Sequence, residues 1–163
     1  MVYRMEFYTD GGCRDNGRPW AIGVAVCLSM TRLRTYNTMS RELPPDPRPT
    51  KNRAEITAIM MALEWTLEKY GELDGRPTLS VRIYSDSQYA IGCMDSWLNG
   101  WRQNEWRNSA GNEIVNRDLI EQAADLDDQV RRVGSVDYIW IPRSENRVAA
   151  RICNEKLEEM DII

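Results

Sequence analysis

The run Met5-Glu6-Phe7-Tyr8-Thr9-Asp10-Gly11-Gly12-Cys13 constrains this chain more than any other stretch. Its first half alternates as a β-strand does: Met5, Phe7 and Thr9 point to one side, Glu6, Tyr8 and Asp10 to the other. The strand is expected to stop at Asp10, because the two glycines that follow permit a sharp turn or a close approach by another part of the chain. A carboxylate at the end of a packable strand demands a reason, since an unpaired buried charge is costly. One reading is a turn aspartate. The other is a metal ligand, which gains weight only if further carboxylates converge on the same place.

The chain offers little else for catalysis. Its 163 residues contain no histidine, which removes Ser-His-Asp and Cys-His chemistry, histidine-ligated zinc and any imidazole base. Cys13, Cys27, Cys93 and Cys153 are scattered without a CxxC pair and read as reduced thiols of an intracellular protein. A net charge of -4 leaves room for nucleic acid only at a local basic patch. No apolar run is long enough to span a bilayer and no signal-peptide pattern is visible, so no membrane partner is expected. The length fits one domain over residues 1–163, read as a monomer, and an apolar share of 42% with 28% charged residues reads as soluble and globular. Carboxylates and bound metal are the machinery that remains.

After the first strand, Arg14 to Pro19 reads as a loop, Ala21 to Leu28 as an apolar strand, and Arg32 to Leu43 as a more polar third strand. Pro44 to Pro49 is an extended connection. A helix follows with Asn52 as its expected N-cap; Ile56, Ile59, Met60, Leu63, Leu67 and Tyr70 form one stripe, and Gly71 and the Gly75-Arg76-Pro77 turn end it. Leu79, Val81 and Ile83 mark a fourth strand that stops at Ser85-Asp86-Ser87. Short helices are expected over 87–94 and 95–106, and a longer one carries Leu119, Ala123, Leu126 and Val130. Val136 to Ile141 gives a fifth strand, and a last helix runs from about Ser144 to Met160. This order predicts an α/β domain with a five-stranded mixed sheet, three strands antiparallel and the later ones parallel, flanked by helices.

If the first and fourth strands are parallel neighbours, Asp10 and Asp86 lie side by side at their carboxyl ends, where open α/β sheets gather ligands. Glu55 would project from a helix packed over the sheet. Each acid has a plainer explanation, a helix-dipole partner for Glu55 and an N-cap for Asp86. Together, without histidine, they favour a hard-cation site for Mg²⁺ or Mn²⁺.

Several runs of the chain resemble the type 1 ribonuclease H family. These are Phe7 to Cys13, Asn52-Arg53-Ala54-Glu55, Tyr84-Ser85-Asp86-Ser87-Gln88-Tyr89, the tryptophan-rich Trp97 to Arg107, Ser109-Ala110-Gly111 and Val115-Asn116-Arg117-Asp118. They follow the family order over almost the whole chain, in a eukaryotic, fungal-like form with a short, histidine-free path at Pro142-Arg143-Ser144-Glu145. The resemblance implies a ribonuclease H-like fold and endonucleolytic hydrolysis of the RNA strand of RNA–DNA hybrids, by two divalent ions held on four carboxylates in an intact site. It makes Asp10, Glu55 and Asp86 three of the four catalytic ligands. The fourth, expected after a pattern like Asn-x-x-Ala-Asp, is alanine: the chain reads Asn146-Arg147-Val148-Ala149-Ala150. Ala150 implies an impaired or silenced site, either an engineered knockout or a weakened natural one, and Glu145 lies too early to stand in.

By the same resemblance Arg48, Thr50 and Asn116 match a grip on a DNA-strand phosphate, while Tyr89, Trp97 and Ser109 match a DNA-strand channel. Asn16 and Asn52 match positions that read RNA 2′-hydroxyls, with Lys51 in place of the usual amide. Cys13, Gln88, Trp101, Arg102 and Arg107 are secondary candidates, the two arginines forming the clearest local basic patch. For the tryptophans the plain alternative is packing. Two other readings stay open: a ribonuclease H fold that binds nucleic acid or a partner without cutting it, and the ribonuclease H domain of a reverse transcriptase.

Overall fold

The structure, a computed structural model, describes residues 1–160. Five strands form one sheet in the order β3-β2-β1-β4-β5. They are β1 (Val2–Arg14), β2 (Ile22–Met30), β3 (Tyr36–Glu42), β4 (Thr78–Ser85) and β5 (Gly134–Trp140). β1, β2 and β3 pair antiparallel, whereas β4 pairs parallel with both β1 and β5. The mixed sheet read from the sequence is the sheet observed.

The helices are α1 (Lys51–Glu72), α2 (Gln88–Gly92), α3 (Leu98–Gln103), α4 (Arg117–Arg131) and α5 (Arg147–Met160). α1 packs on β1 and β2 with α4 behind it, so Ala54 to Leu63 is buried on every side. The stripe expected for α1 is therefore only part of its buried surface. This larger core runs through Phe7, Ile59, Leu63, Val81, Ile83 and Ile120. α5 covers the opposite sheet face at β1 and β2, closing a smaller core of Val24, Val26, Leu28, Ala149, Cys153 and Leu157. No helix among the described residues is long and apolar enough to cross a membrane.

Several local expectations are corrected. β1 does not stop at Asp10: it stays paired with β2 through Arg14↔Ile22, while its parallel pairing with β4 ends at Thr9↔Ser85. The glycines serve close packing there. A Cβ on Gly11 would collide with the backbone of Ala54 and Glu55 on α1, and one on Gly12 would meet Cys153 Sγ of α5 at 2.7 Å. The α1 N-cap is Thr50, whose hydroxyl accepts from the Arg53 N–H at 3.1 Å, and Asn52 sits inside the first turn. Gly71 lies within α1. Ser87, not Asp86, caps α2, accepting from the Ala90 N–H. A π-turn, Cys93–Trp97, joins α2 to α3 and lays the Trp97 ring over Gly92, where a Cβ would lie 2.6 Å from it. The tryptophan segment leaves the helix after Gln103, because Glu105 and Trp106 adopt positive φ. α5 starts at Arg147, preceded by a 3₁₀ turn over Arg143–Glu145 that leaves Asn146 buried between the two.

The collision at Gly11 is with backbone atoms of a buried helix, which cannot yield as a flexible side chain would. Gly11→Ala should cost about 1–3 kcal/mol in denaturant unfolding. Gly100→Ala, on α3 with nothing near its added methyl, should be neutral or gain up to about 1 kcal/mol.

Candidate metal centre and its flanking groove

Asp10 and Asp86 each follow the last residue of the β1–β4 parallel pairing, so the strand ends set them side by side. Glu55 reaches them from α1, its Oε1 accepting the Gly11 N–H. The three carboxylates each offer an oxygen, all within 4.8 Å of one another. Asp10 and Glu55 are 1% exposed, and Asp86 is largely covered.

The sequence reading gave no role to the two side chains that serve this cluster directly. Arg143, from the turn after β5, donates from Nη1 to Asp10 Oδ1 at 2.9 Å and Asp86 Oδ2 at 3.1 Å. Asn146 donates from Nδ2 to the Thr9 carbonyl at 2.9 Å and to Asp86 Oδ2 at 3.0 Å. The signal was available: β5 pairs in parallel with β4 up to Ser85↔Trp140, so the residues after Trp140 arrive at the same sheet edge as Asp86. Ala150 is buried on α5 one turn beyond Asn146, its N–H donating to the Asn146 carbonyl, and it brings no oxygen. Glu145 is exposed and outside the cluster.

Two oxygens at the centre, Asp10 Oδ2 and Glu55 Oε2, are buried without a hydrogen-bond donor among the described residues. Orphaned buried acceptors are costly, and hard oxygen donors of this kind suit Mg²⁺ or Mn²⁺. Burial pushes Glu55 well above the usual carboxylate range and neighbouring Asp10 pushes it further. Burial also raises Asp10, against the opposing pull of its contacts with Glu55 and Arg143. Without a cation the pair relieves itself by keeping a proton on Glu55; a divalent ion would let both ionise.

The substrate-side candidates fall into separate groups. Tyr89, Trp97, Trp101, Arg107 and Ser109 line one open groove of about 580 Å³. Trp97 is 45% exposed and sits between Tyr89 and Trp101, with ring centroids at 6.4 and 5.8 Å. Trp106 instead packs against the core. Arg102 turns away from this groove: it grips Asp128 with two donors, at 3.2 and 3.0 Å, and reaches the Ala124 carbonyl on α4. The expected two-arginine patch is thus Arg107 alone.

Thr50 and Asn116 are brought together by Arg53, a buried arginine that the sequence reading passed over. Its N–H is capped by Thr50, and its guanidinium donates to Asn116 Oδ1 at 3.2 Å and to both oxygens of Asp118 at 2.9 and 2.7 Å. Asn116, held at φ 64°, passes the network to the Tyr89 hydroxyl through Nδ2 at 3.1 Å. Arg48, Asn52, Gln88 and Asn16 are exposed. Lys51 donates from Nζ to the Gly11 carbonyl at 3.2 Å, and the Cys13 thiol, raised by burial, faces the Pro49 carbonyl.

The raised Glu55 and Asp10 carry a pH signature. The folded metal-free chain binds more protons than the unfolded one, so their stabilisation is full below the ordinary Glu value near 4.5 and is lost as pH rises through neutrality. Asp118, held low by Arg53, titrates below that window. Thermal melts in chelator should therefore show a melting temperature that falls from pH 5 to pH 8. Excess Mg²⁺ should reverse the trend, since the ion binds the deprotonated pair, and Glu55→Gln should flatten the slope in chelator.

Comparison with known proteins agrees with this geometry. The sequence model of the RNase H family matches residues 3–150. Ribonuclease H of Halorhodospira halophila is 32% identical over 161 residues, spanning 96% of this chain and 94% of its own. LC9-RNase H1, described as a type 1 RNase H with the type 2 active-site motif, superposes with a TM-score of 0.71 at 21% identity, over 95% of this chain and 72% of that one. The foamy viral protease-reverse transcriptase in complex with RNA/DNA hybrid gives 0.71 at 18% identity, over 93% of this chain and 19% of that one. With the match running from β1 to Ala150 and the three acids meeting where β1, β4 and α1 converge, this chain belongs to the RNase H family.

Proposed function

We propose that this chain hydrolyses the RNA strand of RNA–DNA hybrids at the Asp10–Glu55–Asp86 centre, with divalent metal bound there. The observation that carries the reading is the convergence of those three carboxylates with two orphaned, buried oxygens. Asp10, Glu55 and Asp86 would hold Mg²⁺ or Mn²⁺, and when bound the ion supplies an activated water and neutralises charge on the phosphate and the leaving 3′ oxygen. An intact four-acid site of this type takes two ions, and Ala150 leaves this chain short of one ligand. Cleavage is accordingly weakened here.

The remaining residues bind and orient. Thr50, Asn116 and exposed Arg48 supply a phosphate grip, with Arg53 fixing Asn116 in place. The groove of Tyr89, Trp97, Trp101 and Ser109 gives the DNA strand an aromatic floor, and Arg107 adds positive charge to its rim. Asn16 and Asn52, both exposed, are free to read 2′-hydroxyls, while Lys51 braces the Gly11 carbonyl. The fungal-like subtype rests on the short path Pro142 to Glu145, and the intracellular setting on four free thiols.

A cleavage assay with Mg²⁺ or Mn²⁺ on hybrid, duplex RNA and duplex DNA tests this reading. Hybrid alone should be cut, Asp10→Asn should abolish cutting, and Ala150→Asp should raise it by about 10–100-fold, the scale on which a group orienting a metal site acts. Cleavage of duplex RNA equal to that of hybrid refutes the substrate class. Equal rates for the native chain and Ala150→Asp refute the role of position 150.

A further inference from the structure

Two contrasting pairs of carboxylate oxygens stand out at the site, beside a buried Asn146 Oδ1 that also receives no donor among the described residues. Asp10 Oδ1 and Asp86 Oδ2 are already engaged: Arg143 Nη1 donates to both, and Asn146 Nδ2 adds a second donor to Asp86 Oδ2. Asp10 Oδ2 and Glu55 Oε2 are buried and, among the described residues, receive no donor. A divalent ion on the orphaned pair satisfies both oxygens and expels no side chain from them. A second ion, on the Asp86 side of Asp10, would have to expel a guanidinium and would find Ala150 where an oxygen ligand is needed.

Resting on the metal-dependent reading above, we propose that this chain holds a single divalent ion, against Asp10 and Glu55, and that the Arg143 guanidinium takes the place of a second ion between Asp10 and Asp86. Charge balance supports it. Three carboxylates are neutralised by one divalent ion together with one guanidinium. Two divalent ions beside the same guanidinium would leave two uncompensated positive charges in a largely buried site, and the nearby Lys51 ammonium would worsen the excess. In a site with the fourth aspartate, two ions would balance four carboxylates. In this chain the missing carboxylate at position 150 and the fixed cation at position 143 therefore act in the same direction, each lowering the positive charge the site can accept.

The substitution changes what that side of the site can do. A guanidinium neutralises charge and donates hydrogen bonds, but it does not lower the pKa of a water as a metal ion does. Arg143 uses Nη1 on the carboxylates, and its Nη2 and Nε have no partner among the described residues. Its side chain is half-exposed. These free donors suit a non-bridging oxygen of a phosphate, a fork geometry that arginine supplies and lysine does not. Arg143 is therefore a phosphate-gripping cation at the site, and the water-activating work falls to the one ion.

Counting bound Mn²⁺ by the electron paramagnetic resonance signal of the free ion decides the matter on the intact chain. The native chain should bind one Mn²⁺, and Glu55→Gln should weaken that ion by about tenfold or more. A second bound Mn²⁺ should appear in the double variant Ala150→Asp/Arg143→Met. Two ions on the native chain overturn the proposal whatever the variants do, as does a single ion indifferent to Glu55→Gln. A folded double variant that still binds one ion overturns the role given to Arg143. The two readings fail separately: two bound ions with hybrid cleavage reject this proposal alone, and one bound ion with no hybrid cleavage rejects the proposed activity alone.

Discussion

Two helices close on the same strand from opposite faces at consecutive residues, and the site depends on that approach. α1 comes so near to β1 at Gly11, and α5 at Gly12, that neither position has room for a side chain. The approach at Gly11 brings Glu55 to the Gly11 N–H and so to Asp10, the residue before it. At Gly12 it seats Cys153 and Leu157 against β1 and fixes the axis of α5, whose N-terminal end delivers Asn146 to Thr9 and Asp86. Side chains on these glycines would push both helices outward and pull the acids apart. The pair Gly11-Gly12 is a packing requirement of the site, and its chain-reversing role is absent, since β1 runs straight through it.

The electrostatics follow from this packing. Driving carboxylates together under two helices raises their free energy unless something positive or protic compensates. The structure meets part of the demand with Arg143 and Asn146 on the outer oxygens. The inner oxygens of Asp10 and Glu55 are left orphaned, and the same burial that makes them costly is what makes a bound cation favourable. Stability is surrendered at the place where the proposed chemistry is done, and the large core behind α1 is what tolerates the loss.

How much of this was legible in the sequence depended on whether the deciding force was local. Alternation in Leu79 to Ile83 and the apolar run at Ala21 to Leu28 sufficed for the sheet, because a strand's faces are set by period. The Asp10–Asp86 neighbourhood followed from parallel pairing alone. What failed was decided by partners distant in the chain. Asn52 is as good a cap residue as Thr50, and the choice went to Thr50 because Arg53 must turn inward to Asn116 and Asp118. Arg102 looks like a substrate arginine beside tryptophans until α4 presents Asp128. Arg143 resembled a loop residue, because its carboxylate partners precede it by 133 and 57 positions.

The first turn of α1 joins the carboxylate cluster to the proposed phosphate grip. Lys51 and Glu55, four residues apart and on one helical face, hold the two sides of the Gly11 residue, its carbonyl and its N–H. Arg53, on the other face, holds Asn116 and Asp118 and through Asn116 the Tyr89 hydroxyl. The distance between the carboxylates and the grip is therefore set within a single turn of a buried helix, with no flexible segment between them. A hybrid whose DNA-strand phosphate settles against Thr50 and Asn116 would have its RNA strand placed relative to Asp10 by α1 itself. In a reaction governed by positioning and charge neutralisation, that rigidity is worth as much as the ligands. It also accounts for the burial of Arg53: an exposed arginine could reach the same partners, but its mobility would loosen the spacing it is there to hold.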